Sequence, residues 1–186
     1  MPPKAKVTKE AILAAAITLV RKDGADAINA RNIAAALECS TQPIFSNFAT
    51  MEELRLAVVG EAEKLCADYI RCEVESGSFP AYKASGMAYI RFAKEETELF
   101  KLLYMRDRSS ESTAESNELG DQMESLVQHN IGLGPAEAKL FHLEMWACVH
   151  GIATMVATGF VDLDPALISR MLTDVYQGMR MRYTTE

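Results

Sequence analysis

The sequence predicts an all-α protein of about nine helices: an N-terminal three-helix helix-turn-helix domain followed by a larger helical domain. Three observations lead there. Apolar residues recur at helical spacing along almost the whole chain, no alternating β pattern and no internal repeat is present, and residues 29–48 form two short capped helical patterns joined by a tight polar turn. The domains divide at 1–50 and 51–186, with the fourth helix, from about Met51, as the link.

The first helix is expected from Thr8 to about Asp23, with Ile12, Ala15, Ala16, Leu19 and Val20 on one face and Gly24 as its stop. Asn29 caps the second, whose Ile33, Ala34 and Leu37 share a side. Ser40 is the expected cap of the third. Pro43 falls in its first turn, where no amide bond is lost, and Ile44 and Phe48 stand one turn apart. That helix buries one side and offers Thr41, Gln42, Ser46 and Asn47 on the other, short polar groups that reach base edges or phosphates. This is the outline of a DNA reader.

Thr50 to Glu53 reads as a capping box opening a long helix that carries Leu54, Ala57, Val58, Ala62, Leu65, Tyr69 and Cys72 inward until Gly77. Tyr82, Met87, Tyr89, Ile90 and Phe92 populate a helix to about Lys94, and Leu99 to Met105 continues the apolar pattern. Residues 106–116 are polar and aperiodic, a loop running into a helix start. Leu119, Met123, Leu126, Val127 and Ile131 form the next stripe, broken at Gly132. Two longer helices finish the chain, about Pro135 to Gly159 and Pro165 to Arg182, with Asp164 capping the last. Leu167, Ile168, Met171, Leu172, Val175, Tyr176 and Met179 give that helix more apolar surface than a monomer needs, and Ala147 and Gly151 let another helix approach the preceding one. A four-helix interface between two copies would use both.

Net charge is −7, but residues 1–50 hold six basic against four acidic side chains, leaving 13 against 22 in the remainder. The positive part carries the motif, and an acidic body would repel the duplex and orient the molecule on it. Lys4 and Lys6, in the short basic start, are further candidates for the DNA backbone. With no apolar signal segment and no run of membrane-spanning length, a cytoplasmic location without membrane is expected. Cys39, Cys66, Cys72 and Cys148 are scattered, which argues against a disulfide framework or zinc site. His129, His142 and His150 form no His-x-x-x-His pair, and there is no phosphate loop, so neither catalysis, metal nor cofactor is expected.

From about Thr8 to Leu54 the sequence resembles the N-terminal domain of the TetR family of one-component transcriptional repressors. The likeness rests on the Gly24 stop, the Ile33-Ala34 pair, the turn into Ser40, the run Ile44-Phe45-Ser46-Asn47-Phe48 and the close Glu52-Glu53-Leu54. Trp146-Ala147-Cys148-Val149-His150-Gly151 is similar to the Trp-x-x-x-His-Gly signature of one group of TetR C-terminal domains. The family usually has Gly at Glu38, Tyr at Phe45 and Lys at Met51, and the last two normally contact phosphate, which implies weaker half-sites here.

The resemblance implies a homodimeric, ligand-responsive regulator, a repressor that binds a palindromic double-stranded DNA operator and is released by a small, mostly apolar effector. The DNA-contacting residues would be Lys9, Asn29, Arg31, Ser40, Thr41, Gln42, Pro43, Phe45, Ser46, Asn47 and Thr50, with Arg31 and Lys9 on phosphate. Tyr89, Phe92, Phe100, Tyr104, Met123, Trp146, His150 and Met155 would surround the effector, helped by a chain that holds ten methionines, a side chain that adapts to varied guests. Ala147, Gly151, Leu167, Ile168, Met171, Leu172, Val175 and Met179 would form the dimer interface. Two other readings stay open: a helical interaction protein that has lost DNA binding, and a redox-responsive regulator using Cys39.

Overall fold

A computed structural model describes residues 7–107 and 118–184. Lys4, Lys6 and most of the expected 106–116 loop lie outside the described residues. Among those described there are nine α-helices and no strand. They fall into two compact units.

The first unit runs through Leu65 and takes in Glu96–Arg106. It therefore extends beyond the expected 1–50. Its elements are α1 (Lys9–Asp23), a 3-10 turn (Ala25–Ala27), α2 (Ala30–Ala36), α3 (Gln42–Asn47), the first part of α4 (Met51–Ser76) and α6 (Thr97–Tyr104). The Thr8 hydroxyl accepts from the Ala11 amide at 3.2 Å and Asn29 Oδ1 from the Asn32 amide at 2.9 Å, so α1 and α2 start where their caps place them. Gly24 stops α1 with φ +79°. The core holds Ile12, Ala16, Val20, Ile33, Ile44, Phe48, Leu54 and Val58, each 1 % exposed or less, and α6 adds Leu99 and Phe100, both 0 % exposed. The unit is larger than the sequence boundary because the apolar side of α6 belongs to this core. The Arg21 guanidinium fixes it there, donating through Nε and Nη2 to the two Glu96 carboxylate oxygens at 2.7 Å each.

Two capping expectations shift by one residue. Thr41, not Ser40, precedes α3, with helical φ −71° and ψ −16° and no side-chain cap bond. The Glu53 carboxylate reaches back past Thr50 to the Ala49 amide at 2.7 Å, while the Thr50 hydroxyl accepts from the Glu53 amide at 3.0 Å. Between α2 and α3 the chain turns through Glu38 at φ +51°. That left-handed conformation costs an L-residue about 1–2 kcal/mol and glycine almost nothing.

The second unit holds the rest of α4 from Cys66, α5 (Ala81–Glu95), α7 (Glu118–Ile131), α8 (Pro135–Ala157) and α9 (Pro165–Thr184). α4 ends at Gly77 with φ +68°, and α9 starts on Asp164 Oδ1, which accepts from the Ala166 amide at 2.6 Å. α5 is the central helix, packing on α7, α8 and α9. It can because Gly86 is bare: a Cβ there would sit 3.2 Å from Leu172 Cδ1 and 3.3 Å from Val149 Cγ2. Phe141, Met145, Ala138 and Val127 form a buried cluster, flanked by Tyr82, Tyr176 and Val175. Cys72 was expected inward and is exposed, because the inner stripe of α4 runs through Cys66 and Ile70 instead.

Replacing Glu38 by glycine relieves the left-handed strain but adds unfolded-chain freedom. Glu38→Gly should therefore stabilise the first unit by about 0.5–1 kcal/mol net, read as a higher urea midpoint with unchanged slope. A lower midpoint would mean that the Glu38 side chain makes a contact outweighing its backbone strain.

Candidate functional site

The outer side of α3 has the composition a DNA reader needs. Thr41, Gln42, Phe45 and Ser46 are exposed, Phe45 by 51 %, while Ile44 and Phe48 pin the opposite side in the core. Arg31, in the first turn of α2, is exposed and makes no ion pair among the described residues. An open hollow of about 500 Å³ is lined by Asn29, Ala30, Arg31 and Asn32. A guanidinium with no internal partner beside a concave, solvent-filled surface can meet a phosphate without first breaking a bond. Ser40 and Thr50 are exposed on either side of α3.

Several of the expected DNA contacts are engaged within the chain. The Asn47 side-chain NH2 donates to the Pro43 carbonyl within α3 at 2.8 Å and to the Val7 carbonyl at 3.3 Å, and the second bond holds the chain entering α1 against α3. Asn47 thus forms a clasp within the unit, and its Oδ1 is left to face outward. Asn29 Oδ1 serves the α2 cap. Lys9 Nζ lies 4.6 Å from the Phe48 ring centroid and 3.8 Å from Glu53 Oε1. These are exposed contacts worth little, which a phosphate can displace. The Ser46 hydroxyl donates to the Gln42 carbonyl at 3.0 Å and keeps its lone pairs outward.

The eight expected effector residues are divided between the two units. Phe100 and Tyr104 belong to the first unit, where their rings pack 5.1 Å apart, because α6 is part of that core. Phe92 is completely buried with Tyr69 edge-on to it at 5.4 Å, and Met123 is buried on α7. Tyr89 and His150 do meet: the hydroxyl and His150 Nδ1 are 2.9 Å apart. One level along the same two helices, which run parallel, the Tyr82 hydroxyl and His142 Nδ1 are 3.0 Å apart, a pair that no local pattern joins. Trp146 is 41 % exposed and stacks on His150 at 4.8 Å with planes 16° apart. Met155 is half-buried on the following turns. A half-open hollow of about 210 Å³ lies in the first unit, between Ile28, Leu56, Val59 and Leu102, with Arg55 and Arg106 among its lining.

Burial pushes both histidines below the ordinary imidazole value; for His142 the Glu124 carboxylate opposes it. Burial, helped by Tyr176, pushes the Tyr82 phenol far above its usual range, so it stays a neutral donor. No group of three or more His, Cys, Asp or Glu side chains gathers to hold a metal ion among the described residues.

The expected dimer residues divide in two. Ala147, Gly151 and Leu167 are exposed, whereas Ile168 and Leu172 are buried in their own unit and Val175 and Met179 pack on its Phe141 cluster. Ile168 and Leu172 are therefore corrected to core: they lie on the side of α9 that faces inward. Met171 is half-buried between. Leu140, Leu143 and Met181 join the exposed apolar residues of α8 and α9, with Trp146. The most apolar stretch of α8 has a mean hydropathy of 1.3, yet only 28 % of it is buried.

Among known proteins, residues 82–175 match the family described as Tetracyclin repressor-like, C-terminal domain, which is half of the chain. The fold is similar to that of a TetR-like transcriptional regulator from Rhodococcus sp. RHA1, with a TM-score of 0.68, 14 % identity and coverage of 91 % of this chain and 93 % of that one. It is similar also to a protein of unknown function from the same organism, with a TM-score of 0.73, 21 % identity and coverage of 97 % and 98 %. No curated protein matches the chain.

Because the folded chain holds His142 and His150 below their unfolded value, it prefers them neutral. Their contribution is full above the unfolded value of about 6.5 and is lost as the pH falls below it. Thermal midpoints should accordingly decline from pH 7 to pH 5. His142→Gln with His150→Gln should flatten that decline; an unchanged decline would place its origin in other groups.

Proposed function

The chain belongs to the tetracyclin-repressor-like family of transcriptional regulators, and from that premise we propose that it is a homodimeric repressor that binds a near-palindromic operator and leaves it when a small, mostly apolar effector binds the second unit. The carrying observation is the exposed side of α3, where Thr41, Gln42, Phe45 and Ser46 project from a helix whose other side is locked in the core. Gln42 is the base reader, since its amide carries a donor and an acceptor suited to an adenine edge. Phe45 packs on sugar or a thymine methyl, and Arg31, Lys9 and Thr50 hold phosphate. Asn47 acts indirectly, by fixing the angle at which α3 is presented.

One reading helix per chain covers a few base pairs, so a second copy is needed to specify an operator, with the two α3 helices about 34–36 Å apart in successive major grooves. The uncovered face of α8, with Leu140, Leu143 and Trp146, supports that partner, together with Leu167 and Met181 of α9. The protein would work in the cytoplasm.

Binding to duplex DNA should weaken steeply with salt. With about six to eight phosphates neutralised per dimer, log affinity falls against log salt with a slope of about −5 to −7. Arg31→Ala should weaken all sequences alike and flatten that slope by about one, whereas Gln42→Ala should relax base preference with the slope intact. A helical adaptor that has lost DNA binding would show no salt-dependent binding at all. For the interface, Leu143→Glu should raise the dimer dissociation constant at least about 10-fold in sedimentation equilibrium, and DNA affinity should drop with it. DNA binding undiminished in a Leu143→Glu monomer would exclude the two-copy operator.

A further inference from the structure

The hollow of about 210 Å³ in the first unit has no part in the reading of DNA proposed above. It lies where the turn before α2, the first turns of α4 and the end of α6 meet, all within that one unit. Its apolar surface is unevenly covered. Ile28 and Leu102 are 1 % and 7 % exposed and Val59 is half-buried, but Leu56 stands 55 % open beside them. A small molecule covering Leu56 would remove that surface from water. The volume is below the roughly 300–1,000 Å³ of sites for drug-sized ligands, so the guest is small.

The rim carries both signs of charge. Asp26, Glu52 and Arg55 are exposed, and none of the three side chains makes an ion pair or hydrogen bond among the described residues. Glu52 and Arg55 are three apart on α4, a spacing at which such side chains can pair, yet both stay open. Arg106 is already engaged: its Nε donates to the Leu102 carbonyl at 2.8 Å, and its guanidinium stands as a fixed part of the wall. With two acidic and two basic side chains around it, the hollow opposes a simple anion at Asp26 and Glu52 and a simple cation at Arg55 and Arg106. A guest that carries an ammonium and a carboxylate on one carbon meets both signs, while its apolar remainder covers the floor.

We propose that this hollow binds a free α-amino acid with a branched or aromatic apolar side chain. Its carboxylate pairs with Arg55, its ammonium lies between Asp26 and Glu52, and its side chain packs on Leu56, Val59 and the buried floor. The guanidinium suits the first contact because its planar fork can hold both carboxylate oxygens. The hollow is half open, so water and salt screen these charges, and a dissociation constant of about 0.1–1 mM is expected. Such a guest would tie the turn before α2 to α4 and α6, the frame on which α3 depends. It is separate from the apolar effector proposed for the second unit, and it does not require that the chain bind DNA.

The test is isothermal titration calorimetry of the full chain with L-leucine and with L-phenylalanine, at two temperatures because burial of apolar surface gives a heat that changes with temperature. Saturable binding is expected. Isocaproate, which keeps the leucine side chain and carboxylate but lacks the ammonium, and isoamylamine, which lacks the carboxylate, should each bind at least about 10-fold more weakly than leucine. Arg55→Gln should weaken leucine binding at least about 10-fold. Glu52→Gln reads the sign of the charge: it should weaken leucine and strengthen isocaproate, since the carboxylate opposing that anion is gone. Both substituted residues are exposed and unpaired, and circular dichroism confirms that the variants are folded. No binding of either amino acid at concentrations up to about 5 mM overturns the proposal. Leucine binding undiminished in both variants places the guest elsewhere and overturns the hollow, and isocaproate or isoamyl alcohol binding as tightly as leucine overturns the need for both charges.

Discussion

A helix of six residues cannot sustain itself in water, because the cost of nucleating it is not recovered in under two turns. α3 spans only Gln42–Asn47, so its existence and direction are imposed from outside. Ile44 and Phe48 supply the hold, buried in the core of the first unit, and the Asn47 amide ties its end to Val7 at the entry to α1. Everything that α3 can present to DNA depends on that anchoring. It explains why so much of the unit is framework: α1, the start of α4 and α6 all contribute buried residues, while the exposed reading side amounts to four or five side chains.

The same dependence gives α6 its meaning. α5 belongs to the second unit through Glu95, and at Glu96 the chain enters the first, where Arg21 holds the new residue with both of its forks. α4 makes the other passage as an unbroken helix from Met51 to Ser76. A change in α5 or in the far half of α4 would therefore be delivered by covalent links to helices that frame α3. Because α3 has no stability of its own, a small displacement of that frame would be enough: a coupling of about 1–3 kcal/mol changes operator occupancy roughly 5- to 150-fold. In the second unit the organising feature is a close approach, α5 against α8 and α9 at Gly86, crossed by two tyrosine–histidine contacts.

Much of this could be read from local sequence, and the exceptions have physical reasons. Caps are three-residue events, so Asn29 and Asp164 were legible, as were the glycine stops at Gly24 and Gly77. Ser40 was one residue out because the turn before it runs through Glu38 in a left-handed conformation that a sequence without glycine does not announce. Periodicity finds an apolar stripe without saying what covers it. Ile168 and Leu172 therefore went to the wrong side of α9, and Trp146 was expected in a cavity although its ring lies on an open face. Phe100 and Tyr104 were assigned to the body because chain order, not packing, was the only guide. The tyrosine–histidine contacts join residues about sixty apart, beyond any local pattern. The Asn47 clasp was missed because a side chain at the right spacing for a reading face can equally well turn back to its own backbone.

Reading of one operator by α3 of two copies is tested most directly by selecting bound duplexes from a random pool with the purified full chain at low salt. The expected result is enrichment of a two-fold symmetric sequence whose half-sites are centred about one helical turn apart, bound with two chains per duplex. An asymmetric site bound by one chain, or no enrichment from protein freed of any co-purified ligand by refolding, would contradict it.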